Sequence, residues 1–183
     1  KVVGVIPARY QSSRFPGKPL ADICGKPMVW WVYQQCKKVE EFDEVYVATD
    51  SAEIEKACTT LGINVVMTSH EHQTGTDRVG QVAQMVSADV IVNIQGDEPL
   101  LEPETIRAAI LPFYRDASLQ VSNLMTKITD PVDVVNNTVP KVITNEQGIG
   151  IFLTRAPAPY PKGSIGFSYY KQVCVYGFRP DAL

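Results

Sequence analysis

Three permanent cations, Arg9, Arg14 and Lys18, fall within the stretch PARYQSSRFPGKPL at 7–20, among two serines, one glycine and three prolines, in a chain whose net charge is −3. A second stretch, NIQGDEPL at 93–100, holds the carboxylates Asp97 and Glu98 between Gly96 and Pro99. Cationic side chains neutralise phosphate oxygens as bonds to them break, and a hard carboxylate oxygen suits Mg²⁺, which takes the rest of its shell from waters and substrate phosphates. Together the two loops have the parts of a clamp for a nucleoside triphosphate. The fingerprints of two other nucleotide sites are missing: no G-x-G-x-x-G follows the first apolar run and no G-x-x-x-x-G-K-[ST] occurs.

The clamp works if the elements bring both loops to one edge. The run VVGVI at 2–6 reads as a strand buried on both faces of a parallel sheet. After the cationic loop, KPMVWWVYQQCKKV predicts a helix with Met28, Trp31, Val32 and Gln35 on one face and Pro27 in its first turn. Strand and helix patterns then alternate: EVYVAT at 44–49, a helix over 51–61, INVVM at 63–67, a helix over 76–86, ADVIVNI at 88–94 and a helix over 103–114. The 76–86 helix would turn Val79, Val82, Ala83 and Val86 to the core. This is a doubly wound, mostly parallel, Rossmann-like α/β pattern, in which ligands bind beyond the carboxyl ends of the strands. After about 118 the rhythm changes to extended segments at 119–128, 141–154 and 171–178, with a hairpin turn at NEQG, 145–148. The expectation is one domain: a nucleotide-binding part over 1–118 and a small mixed or antiparallel extension over 119–183.

With 45% hydrophobic and 20% charged residues, the 183-residue chain can bury a core, and it contains no apolar run of membrane-spanning length. Cys24, Cys36, Cys58 and Cys174 are widely spaced without a C-x-x-C pair, and read as reduced core residues of a cytoplasmic protein. One cationic loop on an acidic chain argues against nucleic acid as a partner. SHEH at 69–72 lacks further Cys or His company and reads as a polar loop, and the Trp30–Trp31 pair reads as helix packing.

IPARYQSSRFPGKPLADICGKPM, VATD, TGTDR, VNIQGDEP, TRAPAPYP and VYGFR, in this order and spread over essentially the whole chain, resemble the 3-deoxy-manno-octulosonate (Kdo) cytidylyltransferases. The resemblance implies a nucleotidyltransferase fold and a reaction of CTP with Kdo that yields CMP-Kdo and pyrophosphate for lipopolysaccharide or capsule synthesis. It implies that Arg9 and Lys18 hold the CTP phosphates, that Ser12, Ser13 and Arg14 shape the loop, and that Asp97 ligates Mg²⁺. Pro7, Ala8, Thr74, Gly75 and Thr76 would face the base and ribose, and Arg78, Gln95, Arg155 and Tyr176 the acidic sugar, for whose carboxylate a guanidinium fork is suited. A homodimer is implied as well, with the extension serving sugar binding and dimerisation.

Two departures bear on the sugar and the metal. Gln172 and Cys174 stand where the family commonly has histidine and glycine, which leaves Kdo, 8-amino-Kdo or another acidic sugar open and puts Gln172 near the sugar hydroxyls. The chain given stops at Leu183, before the family's closing segment with its second metal-binding aspartate, so the carboxyl end is expected to be incomplete. A non-catalytic nucleotide-binding relative is the remaining alternative, and Arg9, Lys18 and Asp97 argue against it.

Overall fold

The structure, a computed structural model, describes residues 1–11, 15–160 and 168–183. The chain folds as two compact units, residues 1–122 with 175–183, and residues 123–174. The sequence boundary at 118 and 119 is therefore corrected in two ways. The first unit runs to 122, and the last nine residues return to it, because the end of the final strand pairs with a strand of the nucleotide-binding part.

In the first unit, β1 (Val2–Ala8) lies between β4 (Glu44–Thr49) and β6 (Val90–Ile94), parallel to both, with Val5 opposite Tyr46 on one side and Asn93 on the other. β5 (Val65–Met67) extends the sheet beyond β4 in parallel. Residues 175–178, the end of β10 (Tyr170–Phe178), run antiparallel to β6, with Tyr176 opposite Asn93. All five residues of β6 are buried, as a β-branched run between two helix layers should be.

Between β1 and β4 the chain makes a 3-10 turn (Lys18–Leu20), a small hairpin of β2 (Asp22–Ile23) and β3 (Lys26–Pro27), then α1 (Met28–Cys36). The cationic loop thus leads into a 3-10 turn, not directly into the long helix, and Pro27 is the residue before the helix. α1 buries Val29, Val32, Tyr33 and Cys36, a face rotated from the expected one, while Trp31 stays half-buried with its indole N–H donating to the Ile23 carbonyl at 2.8 Å. The tryptophan pins the hairpin.

α2 (Ala52–Thr60) starts at Ser51, whose hydroxyl accepts from the Ile54 N–H. α3 (Gly75–Met85) starts in a reciprocal box: Thr74 Oγ1 accepts from the Asp77 N–H while the Asp77 carboxylate accepts from the Thr74 N–H. Its Val79 and Val82 pack with Val3, Val5, Ala48 and Ile91 in a fully buried cluster. α4 (Pro103–Arg115) packs near β6 and α1. Gly177 in β10 is required by close approach, since a Cβ there would sit 2.5 Å from the Phe113 ring and 2.6 Å from Ser122 Oγ.

The second unit takes the end of β7 (Val121–Lys127), α5 (Pro131–Val135), and the antiparallel hairpin of β8 (Lys141–Thr144) and β9 (Gly150–Thr154), with Lys171 of β10 opposite Lys141. At the hairpin tip Asn145 Oδ1 accepts from the Gln147 and Ile149 N–H groups, and Gly148 takes a φ of 78° that an L side chain would resist. The Lys141 ammonium is buried yet satisfied, donating to the carbonyls of Asn136, Val139 and Arg155.

Two of the four cysteines depart from the expectation. Cys36 and Cys58 are buried, and burial pushes their thiols up to about 12 and about 11, so they are inert at neutral pH. Cys24 is exposed, at φ 52° in the β2–β3 turn, and Cys174 is half-buried. Among the described residues no helix is long and apolar enough to cross a membrane.

Candidate functional site

The parallel register of β1 and β6 makes their carboxyl ends leave the sheet at one edge, so the loops at 9–19 and 95–99 begin as neighbours. Two segments then converge on Pro7. A Cβ on Gly96 would lie 3.0 Å from the Pro7 carbonyl oxygen, and one on Gly75 would lie 3.2 Å from Pro7 Cγ. The absence of side chains at both positions lets the 95–97 loop and the start of α3 close over the end of β1.

The result is a cavity of about 550 Å³, within the range that encloses nucleotide-sized ligands. Pro7, Ala8 and Arg9 supply its floor, Phe15, Lys18 and Pro19 one wall, and Gln95, Gly96 and Asp97 another. The last wall is the approach to α3, His72 to Gly75, with Arg78 behind it. Lys18 is presented by its 3-10 turn, which Gly17 initiates at φ 69° while donating its N–H to the Tyr10 carbonyl at 2.7 Å. The Lys18 ammonium donates to Asp97 Oδ2 at 2.7 Å, so the cationic and acidic loops meet as the sequence required.

Asp97 fits a hard cation. Its carboxylate is about half exposed on the cavity wall, and beside it burial and then the Asp97 charge push the Glu98 carboxyl above the usual range, a field that a divalent ion would relieve. Among the described residues no group of three His, Cys, Asp or Glu side chains gathers, so substrate phosphates would have to complete the shell of such an ion.

Of the other expected site residues, Pro7, Ala8, Arg9, Thr74, Gly75, Arg78 and Gln95 line this cavity with Lys18 and Asp97. Thr76 does not: it is exposed, and its hydroxyl is 3.4 Å from Asn93 Nδ2. Ser12, Ser13 and Arg14 lie outside the described residues. Arg78 is buried, with Nη2 on Asp50 Oδ2 at 2.9 Å and Nη1 donating to Thr68 Oγ1 and the Ser69 carbonyl. Three of its N–H donors are given to protein oxygens, which ties Arg78 into the cavity wall. Tyr176 stacks on Phe178 in β10 at 6.2 Å and is not part of the cavity lining. In the second unit Arg155 Nη1 donates to the carbonyls of Asn137 and Thr138, and Gln172 Nε2 donates to Asn123 Oδ1.

The sequence reading took His72 as part of a polar loop and did not single out Gln73. Their signal was position: they immediately precede Thr74, the capping residue of the helix that closes the cavity. His72 also carries a defined partner, its Nε2 lying 2.6 Å from Gln81 Oε1.

The family model described as cytidylyltransferase matches residues 3–182. The chain belongs to this cytidylyltransferase family. It is 46% identical to the 3-deoxy-manno-octulosonate cytidylyltransferase of Geobacter metallireducens and 40% identical to that of Escherichia coli, in both cases over all of this chain and about three quarters (76% and 74%) of the relative. The solved structure of CMP:2-keto-3-deoxy-manno-octonic acid synthetase complexed with CTP matches all of this chain and 75% of that one, at a TM-score of 0.96 and 39% identity.

Proposed function

We infer that the chain transfers the cytidylyl group of CTP to 3-deoxy-manno-octulosonate. The 2-hydroxyl oxygen of the sugar forms a bond to the α-phosphorus, the bond from that phosphorus to the bridging oxygen of the β-phosphate breaks, and pyrophosphate leaves with the electron pair. The hydroxyl proton passes to solvent. Arg9 and Lys18 hold the triphosphate and neutralise charge that grows on the leaving group, and the cavity floor at Pro7 with the adjoining wall at Gly75 seats the base. Asp97 would hold Mg²⁺, which supplies charge neutralisation at the phosphates when bound. No enzyme nucleophile is called for, because positioning and electrostatics suffice for this class of transfer.

The observation that carries this reading is the meeting of Lys18 and Asp97 on the wall of a nucleotide-sized cavity at the carboxyl ends of β1 and β6. Gln172, in place of the family's histidine, leaves 8-amino-Kdo as the alternative acceptor. Pyrophosphate release measured over four nucleoside triphosphates and both sugars, with Mg²⁺, tests both: release with CTP and either sugar is expected, and none with CTP and any acidic sugar refutes the reading.

The reading includes a homodimer and a cytoplasmic setting, where CTP is made. β9 ends the order β10-β8-β9 and leaves Ile151, Phe152 and Leu153 exposed, an apolar edge suited to a second copy. Light scattering should give twice the chain mass for the wild type and the single mass for Phe152→Glu; a wild-type monomer refutes it.

A further inference from the structure

Gln81 and His72 form a device that the proposed reaction has not used. The Gln81 side-chain oxygen is 2.8 Å from the Ser69 backbone nitrogen, and a backbone N–H can only donate, so the atom facing it must be the amide oxygen. The same oxygen is 2.6 Å from His72 Nε2. That nitrogen must therefore donate, and in the neutral ring Nδ1 is left as an acceptor. Gln81 is fixed on α3 and Ser69 on the strand-to-helix connection, so the tautomer of a half-buried imidazole on the cavity wall is set by two elements of the fold.

The donors that an acceptor in this cavity can meet are few. Phosphates and carboxylates accept hydrogen bonds and belong with Arg9 and Lys18. The remaining donors are hydroxyls and the 4-amino group of cytosine. Cytosine and uracil differ at position 4, where one carries an amino donor and the other a carbonyl acceptor. The cavity side chains that can accept include the amide oxygens of Gln73 and Gln95 as well as His72; at His72 the accepting atom is enforced by a second residue, because Gln81 fixes the tautomer.

We propose that His72 determines base specificity by accepting a hydrogen bond at Nδ1 from the cytosine 4-amino group, and that Gln81 is the positioning residue that holds it in the accepting tautomer. The inference rests on the cytidylyltransferase reading. Uracil would set its O4 against the Nδ1 lone pair, and a site built for a donor rejects an analogue lacking one.

The test is kcat/KM at pH 8 for CTP, UTP and the pyrimidin-2-one ribonucleoside triphosphate, which lacks only the 4-amino group. The wild type should prefer CTP over both. His72→Leu should reduce the CTP preference by about tenfold to a hundredfold, acting mainly through KM. His72→Asn, which can place an oxygen near the former Nδ1, should retain most of it. Gln81→Leu should lose preference, and Gln81→Glu, which still accepts from both partners, should keep it. Preferences unchanged from wild type in His72→Leu and Gln81→Leu overturn the inference while leaving the transferase reading intact. A wild type that uses no nucleotide overturns both. Should a variant fold poorly, the wild type alone still decides, because equal use of CTP and the pyrimidin-2-one nucleotide refutes an amino-group contact.

Discussion

Asp50→Ala should cost more than an ordinary surface carboxylate would, and the structure sets the size of the loss. Arg78 is 3% exposed and Asp50 21% exposed, with Nη2 to Oδ2 at 2.9 Å. Removing one partner of a buried pair strands the other charge, at about 3–5 kcal/mol. Here the guanidinium keeps Thr68 Oγ1 and the Ser69 carbonyl, and Asp50 was partly hydrated, so the loss should fall to about 2–3 kcal/mol. For a chain of this length that corresponds to a fall in Tm of roughly 4–12 °C. Thermal unfolding by circular dichroism reads it directly. The double variant Asp50→Ala/Arg78→Met removes the stranded charge as well and should be more stable than Asp50→Ala alone. A Tm within about 2 °C of wild type for Asp50→Ala, or a double variant less stable than the single one, would refute the argument that the stranded charge is what costs.

Two glycines make separable predictions. Gly177→Ala drives a methyl to 2.5 Å from Phe113 and 2.6 Å from Ser122 Oγ, whose hydrogen bond to the Ala109 carbonyl it would displace, and should lower the urea unfolding free energy by about 3 kcal/mol; an unchanged midpoint refutes it. Gly96→Ala meets the Pro7 carbonyl at 3.0 Å in a half-buried loop, so pyrophosphate release should fall at least tenfold while Tm moves by only about 2–4 °C, the effect of about 1 kcal/mol; wild-type turnover would show that the loop shifts without consequence.

Much of this was legible in the sequence because the first unit is built from continuous apolar runs. EVYVAT coincides with β4, and VVGVI and ADVIVNI fall within a residue or two of β1 and β6. The face of α1 was misread because Trp31 looks like core by type, yet its indole needs an acceptor and found one in the hairpin, which rotated Val29 and Tyr33 inward instead. Cys24 was misread for a related reason: an apolar type says nothing of a local φ of 52°. The cavity's cationic and acidic loops were readable from charge and turn residues. His72 was not, since its significance lies in Gln81 and Ser69, nine and three residues away, which share one oxygen in space and leave no local pattern.

The Lys18–Asp97 pair joins stability and chemistry in a way that a single substitution separates. The partners are 38% and 49% exposed, and a surface ion pair contributes at most about 1 kcal/mol to stability. Lys18→Met should therefore leave Tm within about 3 °C, consistent with that small contribution in a chain of this length. Turnover should nevertheless fall about a hundredfold or more, because a cation stabilising charge on the leaving group acts most strongly where charge develops. The same substitution removes a positive charge next to the proposed metal carboxylate. At about 4 Å, in a medium close to water, the repulsion between that ammonium and a divalent cation is worth roughly 2 kcal/mol. Mn²⁺ titrated against the protein without nucleotide, followed by its electron paramagnetic resonance signal, should therefore bind at least tenfold more tightly to Lys18→Met than to the wild type, and Asp97→Asn should abolish that binding. Tighter binding with lower turnover is the combination that distinguishes competition for Asp97 from general damage to the site. Equal Mn²⁺ affinity in wild type and Lys18→Met would mean that Asp97 does not hold the cation, and the metal would have to be placed elsewhere.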